Sequence, residues 1–329
     1  MESECSEYSW HSDTIRMVFG LYFMTKIKVV GVGGSGSNAV SRMMKCKIKG
    51  VELVAVNADA QDLKKARAHF KIRIGKRLTK GLGTGMNPEI GRKAAEENRT
   101  EIQEILKDSD MVFITCGLGG GTGSGASPVV AEISKNLGIL TVAVVTKPFS
   151  FEGVFRQKIA ESGIRKLKGK VDSLIVVSND KLLEILDPKT TISNAFWLCD
   201  DILRQAVQGI SDLILLPGII NVDFANVKTI MENSGTALFG VGKARGEKRA
   251  QRAALSAINS PLLSVSPKGA RGVLFNVSGG KDISLSEIDE ISRVITQEVS
   301  PEAKIIFGAV QDEKLRKGEI KVTVIATGF

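Results

Sequence analysis

The chain has 329 residues, of which 43% are hydrophobic and 25% charged, a balance ordinary for a soluble globular protein of one large or two smaller domains. Its apolar runs are only strand-length, so none can cross a bilayer and direct membrane insertion is not expected. Four scattered cysteines and two histidines form no zinc set and no disulfide framework, which fits a reducing, cytoplasmic setting, and the formal charge is +9.

Residues 1–24 stand apart: Met1 to Asp13 is polar and patternless, Ile15 to Met24 is apolar but short, and no ordinary signal-peptide cleavage site follows. They read as a variable N-terminal extension, with Met24 a candidate start. From Lys26 the chain alternates strands and helices. Near-continuous apolar runs at Ile27–Val32, Leu53–Asn57, Met111–Thr115, Leu140–Thr146 and Leu174–Val177 read as parallel strands covered on both faces. Between Asp62 and Glu89 there is no acid but a run of lysines and arginines, a pattern that suits nucleic acid or an anionic membrane. However, Lys71-Ile72-Arg73-Ile74 alternates like an edge strand, where lysines discourage unwanted pairing, and only Phe70 could stack on a base. A solvated edge is the better reading, and no nucleic-acid partner is expected.

Gly119-Gly120-Gly121-Thr122-Gly123-Ser124-Gly125 sits between the Met111 strand and a helix whose apolar stripe runs Ala126, Val129, Val130, Ile133, Leu137. A strand feeding a glycine run that opens a helix is a phosphate-binding device, because backbone N–H groups can close around an anion at a positive helix end. A flexible linker would not be bracketed by buried elements. A long helix follows, spaced Ala195, Leu198, Ile202, Ala206, Ile210, Leu213, Ile214 and stopped by Pro217-Gly218. Beyond it, helices near Phe224–Met231, Glu247–Ile258 and Leu285–Val299 and strands at Gly272–Val277, Ile305–Val310 and Ile320–Ala326 suggest a second α/β domain without glycine-rich loops. The expected fold is α/β: a doubly wound, mostly parallel sheet with a second, smaller α/β domain. Its domains are a nucleotide-binding domain over 25–192, a central connecting helix over 193–217 and a C-terminal domain over 218–329.

Gly31-Val32-Gly33-Gly34-Ser35-Gly36 satisfies G-x-G-x-x-G after the first strand, so a NAD-dependent Rossmann oxidoreductase is the competing reading. Against it, the second strand ends in Asn57 rather than a ribose-binding acid (although Asp59 is near), no histidine is placed for hydride transfer, and a one-fingerprint fold needs no second glycine run. The P-loop signature is absent. Two phosphate loops on neighbouring strands suggest a nucleotide held from both sides.

The glycine run, with GVGGSGSNAV, AVNADAQ, GLGTGMNPEIGRKAAEE, VTKPFSFEG, LRQAVQGISDLI, NVDFANVKTIM, ARGVLFNVSGG, IIFGAVQDE and VIATGF in that order, resembles the tubulin/FtsZ GTPase family, and within it the bacterial cell-division FtsZ branch. The resemblance covers Lys26 to Phe329. It implies GTP/GDP as ligand with Mg²⁺, head-to-tail homopolymers that form the protofilaments of a midcell division ring, and other division-ring proteins as partners. By the same resemblance, Gly33, Gly34 and Asn38 face the α- and β-phosphates and Asn57 the γ-phosphate side. Gly119, Gly120, Gly121, Thr122 and Gly123 form the main phosphate cradle, and Glu152 and Arg156 hold the ribose and phosphate region. Asn179, Phe196 and Asp200 make the guanine pocket; an Asp200 carboxylate can accept from both guanine N1–H and N2–H, each such bond worth about 1.5–3 kcal/mol. Taken in isolation, Phe196 and Asp200 would read as a core aromatic beside a solvated acid, Arg156 as a surface charge and Asn38 as a helix cap.

Hydrolysis in the family is completed by the loop after the long helix, which enters the neighbouring subunit's pocket. Asn221, Asp223 and Asn226 fall there, but the family's second acid is Asn226 here, and an amide can neither carry the charge nor take the proton. Slowed hydrolysis with GTP binding and assembly retained is therefore expected; alone, Asp223 would read as a helix N-cap. Milder departures are Ser35, Ala58, Asp201 and the pair Val154-Phe155.

Overall fold

The computed structural model describes residues 25–184, 186–187, 189–216, 218–260, 267–312 and 315–329. The expected extension over 1–24 and the helix-stopping Pro217 lie outside them.

The first half lays down β1 (Ile27–Val32), α1 (Gly33–Lys45), β2 (Val51–Asn57), α2 (Ala60–Lys65), β3 (Phe70–Arg73), α3 (Lys76–Thr79), α4 (Pro88–Glu97), α5 (Arg99–Leu106), β4 (Met111–Gly117), α6 (Gly121–Asn136), β5 (Leu140–Lys147), α7 (Val154–Lys168), β6 (Ser173–Ser178) and α8 (Asn179–Leu183). The long helix α9 (Ile192–Leu215) leads to α10 (Phe224–Met231), β7 (Gly235–Arg245), α11 (Arg249–Ile258), β8 (Gly272–Gly279), α12 (Leu285–Thr296), β9 (Lys304–Gln311) and β10 (Glu319–Thr327). Every strand and helix read from the periodicity is present, most of them a residue or two longer at an end.

One ten-stranded sheet runs β3-β2-β1-β4-β5-β6-β7-β10-β8-β9. β1 to β6 are parallel throughout, as near-continuous apolar strands with crossover helices require. The basic strand β3 lies at the sheet edge with Ile72 buried and its other three residues exposed, as its alternation implies. One core packs α1 and α9 on the sheet around Met43, Phe113 and Leu203; a second, on the opposite face, packs α4 to α7 around Val54, Ile114 and Val130. A third lies beneath α11 and α12 around Phe275, Ile291 and Val322.

The two expected units are joined within this sheet by β7, a strand that the apolar pattern does not reveal. It pairs with β6 in parallel over Ser173↔Gly235, Leu174↔Thr236 and Ile175↔Ala237, and from Ala237 to Arg245 it pairs antiparallel with β10. Gly240 and Gly242 make Gly235–Arg245 look interrupted, yet a Cβ at either would lie 2.0 Å from the carbonyl oxygen of Ala257 or Ala253. These glycines let α11 rest directly on the strand, a packing requirement rather than a break.

Asp172 stitches the seam. One carboxylate oxygen accepts from the Thr141 N–H at 2.9 Å, the other from the Asn233 N–H at 3.4 Å, and its carbonyl accepts from the Gly235 N–H at 2.9 Å. The side chain is buried, with the Lys135 ammonium 3.4 Å away. Asp172→Ala is expected to cost about 1–3 kcal/mol by stranding the Thr141 amide, read as a lower midpoint in thermal or urea unfolding.

Candidate functional site

A cavity of about 240 Å³ opens at the carboxyl ends of β1, β4 and β5. This is where an open parallel sheet offers its crevice. Gly33, Gly34 and Ser35 form one wall, Gly117, Leu118 and Gly120 to Gly123 another; Glu152, Arg156, Asn179, Phe196, Cys199 and Asp200 close the far end.

Two helices begin at the cavity. The first amides of any α-helix lack intrahelical acceptors, so Gly33, Gly34 and Ser35 on α1 and Gly121, Thr122 and Gly123 on α6 bring unpaired donors to it. Neither helix carries an acid in its first turn. A Cβ on Gly33 would lie 3.0 Å from the Gly123 nitrogen, so the two positive ends nearly touch. That is an anion site by construction.

The glycine run divides into two jobs. Gly120 precedes α6 with ordinary backbone angles, and a Cβ there would meet nothing within 4 Å. Gly121, Gly123 and Gly125 instead permit close packing: added Cβ atoms would lie 2.3 Å from Thr84 Oγ1, 2.6 Å from the Gly117 carbonyl and 2.0 Å from the Pro88 carbonyl. Gly119 donates its N–H to Ser124 Oγ at 2.9 Å and does not line the cavity. The Thr122 and Thr84 hydroxyls sit 3.2 Å apart and share a hydrogen bond.

At the far end, Asp200 is buried and its carboxylate accepts from Arg42 Nη2 at 3.1 Å. Burial pushes its pKa up to about 6, against the pull of Arg42. Neighbouring Asp201 is turned to Arg204 and Gln205, whose hydrogen bonds outweigh its burial and hold it below the ordinary carboxylate range. Burial pushes the Cys199 thiol up to about 12. Asn179 is buried with its Oδ1 lacking a hydrogen-bond partner, an orphaned acceptor at the cavity wall. Phe196 packs edge-on to Phe149 at 5.4 Å and stays 41% exposed, leaving ring surface to contact a base. Glu152 and Arg156 pair with each other at 2.7 Å.

Of the residues expected at the site, Gly33, Gly34, Gly120, Gly121, Thr122, Gly123, Glu152, Arg156, Asn179, Phe196 and Asp200 line the cavity. Asn38 is exposed within α1 rather than capping it, and Asn57 is buried at the end of β2, with its Oδ1 accepting from the Asp59 N–H and its Nδ2 unpaired. Ser35, expected only as a mild departure in the first loop, also lines the cavity, as do Thr84, Gly117, Leu118, Thr146, Pro148 and Cys199, which no sequence signal marks as site residues. Ser35, Gly117, Leu118 and Cys199 adjoin the glycine runs or Asp200 in sequence, Thr146 lies at the end of β5 with Pro148 just past it, and Thr84 is carried in by the turn before α4.

Asn221, Asp223 and Asn226 lie at the other end of α9, exposed. Asp223 caps α10, its Oδ1 accepting from the Asn226 N–H at 2.7 Å, and Asn221 Oδ1 accepts from the Gly218 N–H at 2.7 Å. From Asp200 to the end of α9 at Leu215 the axis rises about 22 Å. This loop cannot serve the cavity of its own molecule.

Residues 26–187 match the model of the Tubulin/FtsZ family GTPase domain, and 235–329 that of the FtsZ family C-terminal domain. A solved FtsZ dimer from M. jannaschii, described as empty, superposes with a TM-score of 0.91 at 47% identity, covering 98% of this chain and 92% of that one. The chain belongs to the tubulin/FtsZ family. A substituted variant of the M. jannaschii protein gives a TM-score of 0.90 at 47% identity over 97% of this chain and 95% of that one. At the level of fold alone, CetZ2 from Haloferax volcanii, solved as a GTPγS-bound protofilament, has a TM-score of 0.77 at 22% identity over 92% of each chain. The first domain is therefore a tubulin/FtsZ GTPase domain, and the G-x-G-x-x-G fingerprint here belongs to that fold. Asp59, the acid nearest a ribose position in the dinucleotide reading, is spent capping α2 by accepting from the Gln61 and Asp62 amides.

The two kinds of glycine should separate on substitution. Gly125→Ala is expected to lose about 1–3 kcal/mol of stability through overpacking against α4. Gly120→Ala should melt like the parent, since its methyl meets nothing within 4 Å, but bind GDP about tenfold or more weakly because that methyl takes up cavity space and holds the anion off an amide, at about the cost of one charge-assisted hydrogen bond; calorimetric titration with parallel thermal melts checks both.

Proposed function

We propose that this FtsZ-family GTPase binds GTP or GDP in the cavity at the sheet's carboxyl edge, assembles head to tail with copies of itself into protofilaments of a division ring, and hydrolyses GTP at each junction between subunits. The observation that carries this reading is the separation of the cavity from the loop holding Asn221, Asp223 and Asn226, about one long helix apart within a molecule. A heterologous contact that brings one subunit's loop to the next subunit's cavity joins the two halves, and because such contacts do not close, it builds a filament.

In this reading the amides of Gly33 and Gly34 and of Gly120 to Gly123 hold the phosphates, joined by the Thr122 hydroxyl, while Asn38 and Asn57 serve the phosphate region from outside the walls. Arg156, oriented by Glu152, offsets charge at the ribose side. Phe196 stacks on the base, and Asn179 and Asp200 accept from its polar edge. The donor set suits a guanine nucleotide: paired helix ends for the anion, an orphaned amide oxygen and a buried carboxylate for the base. Among the described residues no group of three or more His, Cys, Asp or Glu side chains could hold a metal ion. Mg²⁺ would be held largely by the triphosphate's own oxygens, as is usual for nucleotide sites, supplying charge neutralisation. The domain division is 25–192 for nucleotide, 193–217 for the connecting helix and 218–329 for the C-terminal domain. The setting is the cytoplasm at midcell, with division-ring proteins as further partners.

Hydrolysis is slow because Asn226 stands where the family has its second acid. Asn226→Asp is expected to raise GTP turnover on the order of tenfold or more. An acid in the first turn of α10 is favoured by the helix dipole, so the variant should keep its fold. A parent enzyme that turns over GTP at least as fast as the variant overturns the assignment. Light scattering that rises with GTP and not with GDP tests assembly, and thermal stabilisation by NAD in place of GTP would reject the nucleotide assignment.

A further inference from the structure

Arg42 lies on α1 outside the cavity walls, and nothing in the function proposed above uses it. Its Nη2 reaches 158 residues along the chain to donate to Asp200 Oδ2 at 3.1 Å. Its guanidinium carbon sits 4.9 Å from the centre of the Trp197 ring, one turn of α9 back from the acid. Both charges are largely withdrawn from water, with side-chain exposures of 20% and 11%. The contact is single-pronged: Arg42 Nε is buried without a partner, and Asp200 Oδ1 accepts from no described residue. Since each carboxylate oxygen offers two lone pairs, Arg42 leaves Asp200 free to accept two further donors on the cavity side.

We infer that Arg42 is a positioning residue for base recognition: clamped on Trp197, it holds the Asp200 carboxylate charged and oriented for the adjacent N1–H and N2–H of guanine. This rests on the reading of Asp200 as the base-contacting acid. The other groups around that acid do not substitute for Arg42. On α9 itself, Asp201 opposes ionisation and is committed to Arg204 and Gln205, and the Cys199 thiol, pushed up to about 12, is neutral. Across the cavity, Glu152 in the turn before α7 and Arg156 on α7 neutralise each other. Even with Arg42 in contact, burial leaves Asp200 titrating near pH 6. Without it, the acid takes up a proton at higher pH and presents an O–H to a base edge that also donates.

Calorimetric titration of the full chain with GDP from pH 5.5 to 8.5 tests this on the parent, Arg42→Gln, Arg42→Lys and Asp200→Asn. Parent affinity should fall as pH drops through about 6. Arg42→Gln should move that fall upward by about one pH unit or more and regain affinity toward pH 8.5, and Arg42→Lys should return most of the parent profile. Titration of the GDP phosphate is common to every protein tested, so differences between profiles read Asp200. A glutamine profile that superimposes on the parent overturns the inference. Should Arg42→Gln fail to fold, Trp197→Leu carries the test: unclamping Arg42 shifts the profile in the same direction, and no shift overturns the inference. Asp200→Asn should bind weakly at every pH; parent-like binding there rejects Asp200 as the base reader, a failure distinct from that of Arg42.

Discussion

Two helices that begin at adjacent parallel strands, α1 after β1 and α6 after β4, aim their unpaired amides at the same small volume, and the remainder of the site is arranged around that concentration of positive potential. Parallel pairing of β1 with β4 sets their spacing, and the absence of a side chain at Gly33 lets them approach almost to contact at Gly123. No acid sits in either first turn to neutralise the field. A multiply charged anion resolves the electrostatic tension that the apposed helix ends create. The polar groups beyond it, on α8 and α9, then meet whatever that anion carries.

Those distal groups are held by packing of another kind. Asn179 starts α8 at the end of β6, and Phe196 and Asp200 project from the first turns of α9, which the core around Phe113 and Leu203 fixes against the sheet. Burial raises the pKa of Asp200, and Asn179 keeps an unsatisfied oxygen. Each is destabilising in the protein alone and is offset when a complementary base arrives. The cavity thus divides into an electrostatic end, made of backbone, and a selective end, made of side chains.

Much of this was legible in the sequence because its signals were local. Apolar runs marked five of the six parallel strands almost residue by residue, and the alternation at Lys71–Ile74 placed the sixth, β3, on an edge. Collinear family-like segments brought Asn179, Phe196 and Asp200 to one cavity, which helical spacing could not do. The failures share a cause. Gly240 and Gly242 hid β7 because a glycine required by a helix lying on a strand looks the same in one dimension as a glycine that ends it. In the run at Gly119–Gly125 a single phosphate-binding role covered residues that divide between loop and helix packing, since the α4 backbone they accommodate is distant in sequence. Arg42 was invisible for the same reason: its partner lies 158 residues away.

The length of α9 has a kinetic corollary. If a molecule carries its pocket at one pole and the completing loop at the other, the terminal subunit whose pocket faces solvent has no neighbour to finish its chemistry. Each strand of polymer then keeps one unspent nucleotide at that tip however old its interior becomes, whereas a break in an aged strand exposes a pocket whose nucleotide is already spent. Annealing would bury such a tip and consume its triphosphate, so the triphosphate remaining in a population would count the ends that have never met a neighbour and not those made by breakage.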